Sequence, residues 1–162
     1  MLHYSWNTNW EDRKRGDCPI GEMIAAFDFF REHRKGRGIF LLNLMIVDDE
    51  QSILDLFDMT QEIYNFRVVA TAKDGEEALL KYPRVIPRPD IVLMDQHMPK
   101  MTGIECMRKI LQIDPKANIV FLSVDDSVKE EALKLGAIDF VKKPFHMKDL
   151  IHQLSLIVQA MK

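Results

Sequence analysis

The apolar run Leu41-Leu42-Asn43-Leu44-Met45-Ile46-Val47 ends directly on three acids, Asp48-Asp49-Glu50, and a second run, Ile91-Val92-Leu93-Met94, ends on Asp95. Carboxylates at the exits of buried strands are costly unless something cationic joins them there. A divalent metal and a lysine are the obvious partners, and Lys143 is placed to be the second. The chemistry on offer is that of clustered carboxylates whose charge a metal and an ammonium group would compensate.

Such a cluster must be held by a scaffold, and from about residue 40 the chain has the pattern of one. Strand-like runs fall at 41–47, 67–72, 90–95, 118–123 and 138–142, and helical patterns at 51–64, 75–82, 103–112, 127–135 and 147–161. Strands alternating with helices predict an α/β domain, a parallel sheet with helices on both faces. The central runs, such as Ile119-Val120-Phe121-Leu122, are apolar throughout, as a doubly covered sheet requires. In such sheets ligands sit beyond the carboxyl ends of the strands, where the strand order reverses. Asp48, Asp49 and Asp95 all follow strand-like runs at that edge, Ser123 ends the fourth run, and Lys143 follows the fifth.

Taken in order, the motifs resemble the receiver domain of two-component response regulators. They are Ile46-Val47-Asp48-Asp49-Glu50, Asp74-Gly75-Glu76-Glu77-Ala78-Leu79, Pro89-Asp90-Ile91-Val92-Leu93-Met94-Asp95 and Met98-Pro99-Lys100-Met101-Thr102-Gly103. Ser123, Gly136-Ala137-Ile138-Asp139-Phe140 and Lys142-Lys143-Pro144-Phe145 complete the set, which covers about residues 41–162. The resemblance implies a flavodoxin-like, five-stranded parallel sheet of order 2-1-3-4-5, an order borrowed from the family rather than derived.

It further implies that Asp95 accepts a phosphoryl group from a histidine kinase or phosphotransfer protein. Asp48, Asp49, Asp95 and a backbone carbonyl at His97 would hold Mg2+, which prefers oxygen ligands and keeps several waters. Lys143 would neutralise one phosphoryl oxygen and Ser123 would donate to another. Phe140 matches the switch aromatic that moves as Ser123 shifts, and Lys143-Pro144 matches a cis peptide. The implied protein is no multiple-turnover enzyme: it catalyses only its own phosphorylation and slow dephosphorylation, and a downstream reader binds the state that phosphorylation favours. A dimer formed on phosphorylation belongs to the same expectation.

Plainer readings exist for each residue. Asp48 or Asp49 could cap a helix, Asp95 could be a turn residue, Ser123 a strand-end serine, and Lys143 a solvated lysine. Glu50 reads as a first-turn acid favoured by the helix dipole. A phosphorylation-independent interaction module with the same fold is the alternative for the whole chain. A metal-dependent phosphohydrolase is a third reading, but it commonly carries a second acid where this chain has His97. The sequence departs from the family in three ways. The segment from Ser123 to Gly136 is about two residues short, Val124 replaces a smaller residue, and His97 and Asp125 stand two positions beyond Asp95 and Ser123.

Composition narrows the remaining classes. Of 162 residues 47% are hydrophobic, enough for a buried core, and the net charge of −3 gives no basic face for nucleic acid. Cys18 and Cys106 lack CxxC spacing, so neither a disulfide framework nor a zinc site is expected. The longest apolar stretch, 39–47, is too short to cross a bilayer and the first residues do not read as a signal peptide, so a cytoplasmic location without direct DNA binding or membrane insertion is expected. The chain ends about one helix after Pro144, which leaves no room for an output domain and predicts a stand-alone receiver. Residues 1–40 form an N-terminal extension with no counterpart in the resemblance. It reads either as a docking or dimerising helix at 22–35, or as a mis-called start ahead of a true one at Leu41 or Leu42.

Overall fold

The computed structural model describes residues 42–161, and the readings made for residues 1–40 fall outside them. Five strands run β1 (Leu42–Val47), β2 (Phe66–Ala72), β3 (Ile91–Asp95), β4 (Ile119–Ser123) and β5 (Asp139–Lys142). Between and after them lie α1 (Gln51–Tyr64), α2 (Gly75–Lys81), α3 (Gly103–Ile113), α4 (Lys129–Leu135) and α5 (Met147–Ala160). All pairings are parallel and the order is β2-β1-β3-β4-β5, as the resemblance implied.

Side chains on a strand alternate between faces, and the two cores follow that period. Leu44 and Ile46 of β1, Ile91 and Leu93 of β3, and Val120 and Leu122 of β4 face a core built with Leu54 and Phe57 of α1 and Leu150, Ile151 and Leu154 of α5. The intervening Met45, Val47, Val92, Met94, Ile119 and Phe121 face Ala78 of α2, Cys106, Met107 and Ile110 of α3, and Ala132 of α4. Every residue of β3 and β4 is buried, which is why those runs contain no alternating polar positions. Burying each large apolar side chain there stabilises the fold by about 1.5–3 kcal/mol.

The outer edge of β2 would leave backbone groups open to strand addition. Two of them are covered from helices: the Val68 N–H donates to Gln61 Oε1 at 3.3 Å, and Lys81 Nζ donates to the Thr71 carbonyl at 2.8 Å. The β1–β2 register also shifts between Leu44 and Met45, leaving Val69 as an extra residue in β2.

Boundaries depart from the sequence expectations by a few residues. The helix expected at 75–82 ends at Lys81 and tightens into a 3-10 turn, Tyr82–Arg84, around Pro83. The pattern at 127–135 is split into a 3-10 turn, Asp126–Val128, and the seven-residue α4, consistent with a shortened segment. Lys143–Pro144 is cis as the resemblance implied, and Ile86–Pro87, for which nothing was expected, is cis too.

Candidate functional site

Strand register builds the site. Val47 of β1 is level with Met94 of β3, so the next residues, Asp48 and Asp95, emerge together at the carboxyl edge of the sheet. Asp95 is level with Leu122 of β4, and Ser123 with Lys142 of β5, so Ser123 and Lys143 arrive at the same edge. The Lys143 N–H donates to the Ser123 carbonyl at 2.9 Å, which fixes the lysine backbone to the end of β4.

The lysine side chain then reaches across the sheet end. Lys143 Nζ lies 2.7 Å from Asp48 Oδ2 and 2.8 Å from Asp95 Oδ1, donating to both. Asp48 is 1% exposed and Asp95 7%, so a single ammonium bridges two carboxylates that water scarcely reaches. Each carboxylate also accepts a backbone bond: Asp48 Oδ1 from the Glu50 N–H at 3.0 Å, and Asp95 Oδ2 from the His97 N–H at 2.7 Å.

Electrostatics follow from this burial. Desolvation pushes the Asp48 carboxyl above its ordinary value, against the pull of the Lys143 ammonium and the Glu50 N–H. Burial would lower Lys143, but its bonds to Asp48 and Asp95 outweigh that and hold its value above the ordinary one. The ammonium stays charged because it has two carboxylates to serve.

The other candidate residues are placed as follows. Asp49 is exposed at the mouth beside Asp48. Ser123 is fully buried, and its Oγ accepts from the Asp125 N–H at 3.1 Å. Bonds from the Ser127 side chain and backbone hold the half-buried Asp125 carboxyl below the usual range. The His97 ring is exposed, and Val124, beside Ser123, is 66% exposed. Phe140 is buried opposite Phe121 across the β4–β5 pair, with Lys129 Nζ 5.9 Å from its ring centre. The capping readings for the first acids do not hold. Glu50, expected inside the first turn of α1, occupies the N-cap position, and no side chain caps that helix.

The carboxylates at this mouth offer oxygen donors, which suit a hard divalent cation. Among the described residues no three His, Cys, Asp or Glu side chains already close on one point. A Mg2+ site does not need such a cage, since the ion keeps several waters and takes only one or two carboxylates from a protein. Asp48 and Asp95, brought together at the sheet edge, supply that number, with Asp49 exposed beside them.

Four supporting residues were not recognised from sequence as parts of the site. A Cβ on Gly103 would collide with the backbone carbonyl of Asp95 and lie 2.9 Å from the Phe121 ring, so only glycine lets α3 start this close to β3. Gln96 ties the same junction, its carbonyl accepting from the Gly103 N–H at 3.0 Å and its Oε1 from the Ile104 N–H at 3.2 Å. Thr102 and Glu105 form a capping box at the start of α3, a pairing that the Thr-x-x-Glu spacing could have announced.

Residues 44–155 match the response regulator receiver domain. The chain is 36% identical over 116 residues to the chemotaxis protein CheY of Listeria monocytogenes, covering 70% of this chain and 96% of that one. Its fold resembles the CheX–CheY–BeF3–Mg2+ complex of Borrelia burgdorferi, at TM-score 0.62 and 34% identity over 73% of this chain and 89% of that one. It also resembles a receiver domain from Clostridium thermocellum, at TM-score 0.68 and 27% identity over 75% and 97% of the two chains. An α/β sheet of this order with an acidic, lysine-bridged carboxyl edge is the architecture of a receiver domain. This chain belongs to the response regulator receiver family of two-component signal transduction. No helix among the described residues is long and apolar enough to cross a membrane.

Proposed function

We propose that Asp95 is the phosphoacceptor of a stand-alone receiver that takes its phosphoryl group from a histidine kinase or phosphotransfer protein. The observation that carries this reading is the Lys143 ammonium bound at once to Asp48 and Asp95 at the sheet edge. Asp95 Oδ attacks phosphorus as the bond to the donor histidine breaks, so a P–O bond replaces a P–N bond and the imidazole leaves. Incoming phosphoryl oxygens compete with the carboxylates for Lys143, which is already aimed at the reacting atom. Ser123 Oγ donates to a second oxygen, and Asp48, Asp49, Asp95 and the His97 carbonyl would hold Mg2+. Bound there, the ion would supply charge neutralisation beyond what Lys143 provides.

The state so formed is read by a protein partner through a shifted equilibrium in which Ser123 and Phe140 move together. The reader binds the surface formed by α4, β5 and α5, which is partly occupied by its own ion pairs. Lys134 bonds Glu130, Lys142 bonds Asp126 and Lys129 lies over Phe140, so a reader must exchange these contacts.

His97 and Asp125 flank the site and set the phosphoryl lifetime. Decay followed in His97→Ala and Asp125→Ala should differ from wild type, and unchanged decay in both would remove that role. The reading as a whole is tested by intact mass after incubation with acetyl phosphate and Mg2+. One phosphoryl group is expected on wild type and none on Asp95→Ala. No gain on folded wild type, from acetyl phosphate or from a cognate kinase, would favour a phosphorylation-independent interaction module.

A further inference from the structure

The loop joining β3 to α3, residues 96–102, leaves Asp95 and carries the His97 N–H that donates to it. In its middle Lys100 has φ +67°, and the Met101 N–H reaches back two residues to the Pro99 carbonyl at 2.7 Å. That is a γ-turn with its central residue in the left-handed half of backbone space, a rare and strained arrangement. Glycine would enter it freely, whereas a side chain makes it costly.

The lysine side chain supplies the reason it is there. Lys100 Nζ lies 2.7 Å from Asp74 Oδ2 and 3.4 Å from Glu76 Oε2, at the start of α2. Asp74 is itself fixed, since its Oδ1 accepts from the Glu77 N–H at 2.8 Å as the N-cap of α2. The next residue, Met101, seals the same junction: a Cβ on Gly75 would lie 2.8 Å from its sulfur. The loop is therefore fastened to α2 by charge at Lys100 and by shape at Met101. Strained backbone persists where surrounding contacts over-determine it, and such sites cluster around chemistry.

We infer that Lys100 is a positioning residue: its ion pair with Asp74 and Glu76 holds the strained turn and keeps the His97 peptide against Asp95 before any ligand arrives. This deepens the phosphoacceptor reading and rests on it for its consequence, a loop that needs no ordering when Mg2+ or a phosphoryl donor binds. The Lys100 side chain is 57% exposed, so the effect is modest and weakens with salt.

Asp74→Asn keeps a competent N-cap while removing the charge, and Lys100→Met removes the ammonium. Two quantities are measured: the Mg2+ dissociation constant by calorimetry, and amide exchange of residues 96–103 in metal-free protein. Each variant should bind Mg2+ about two- to fivefold more weakly, with no further loss in the double variant. Exchange should quicken at 96–103 and stay unchanged elsewhere. Wild-type affinity and exchange in both single variants would overturn the inference, as would fully additive losses. Exchange in metal-free protein reads the fastening even if Asp95 proves not to be the acceptor. Failure of wild type to take up a phosphoryl group would instead sink the earlier reading and leave the exchange result standing.

Discussion

Replacing Lys143 by Met keeps most of the apolar stem and deletes the charge that joins Asp48 to Asp95. The two contacts, at 2.7 and 2.8 Å, each represent about 6 kcal/mol of Coulomb attraction at an effective dielectric of about 20. Most of that is offset by desolvating the three charges and by repulsion between the two carboxylates. Removing one partner of a buried pair costs about 3–5 kcal/mol. The Lys143 side chain retains 13% exposure, so water relieves part of the loss and the lower end, about 3 kcal/mol, applies. For a domain of this size that is a melting point lower by about 10 °C. The pH dependence has a definite sign. Burial already raises Asp48 above its ordinary value, and deleting Lys143 removes the main opposing pull. A carboxyl whose folded-state value is raised penalises the fold only when ionised, above its unfolded value. The deficit is therefore full at pH 7 and narrows as pH falls through the raised value toward 3.8. Calorimetric melts of both proteins from pH 7 to pH 4, without metal, measure it. An unchanged melting point, or a deficit constant across that range, would refute the reasoning.

Gly103→Ala should destabilise the domain by about 2–3 kcal/mol through forced displacement of the β3–α3 junction, read from urea denaturation midpoints. Burial pushes the Cys106 thiol up to about 12, so it stays protonated at pH 8. Iodoacetamide followed by peptide mapping should leave Cys106 unmodified in the native protein and alkylate it in denaturant. Alkylation at equal rates in both conditions would contradict its burial.

Much of the fold was legible because its strands advertise themselves. Ile91-Val92-Leu93-Met94 and Ile119-Val120-Phe121-Leu122 are apolar at every position, a pattern that a doubly covered strand requires. Strand order was not legible from patterning, because parallel pairing is set by packing among distant elements; it came from the motif resemblance. The acids and the lysine could be named in advance as residues at strand exits. That one ammonium would touch both Asp48 and Asp95 depended on register between β1 and β3, which no local signal encodes. Gly103 was visible only as a helix opener, since its role is set by the Asp95 carbonyl and the Phe121 ring behind it. Lys100 gave no sign of its left-handed backbone, because lysine is not a residue from which that conformation is expected. Glu50 fell one position outside the helix it was assigned to, the usual scale of uncertainty at helix ends.

The account stands or falls on which residue receives the phosphoryl group. Wild-type protein is incubated with acetyl phosphate and Mg2+, reduced with borohydride, which converts an aspartyl phosphate to homoserine, and digested for peptide sequencing by mass spectrometry. Homoserine at position 95, and at no other aspartate, is the predicted result. Homoserine at Asp48 or Asp49, or intact aspartate throughout a protein shown to be folded, would contradict it.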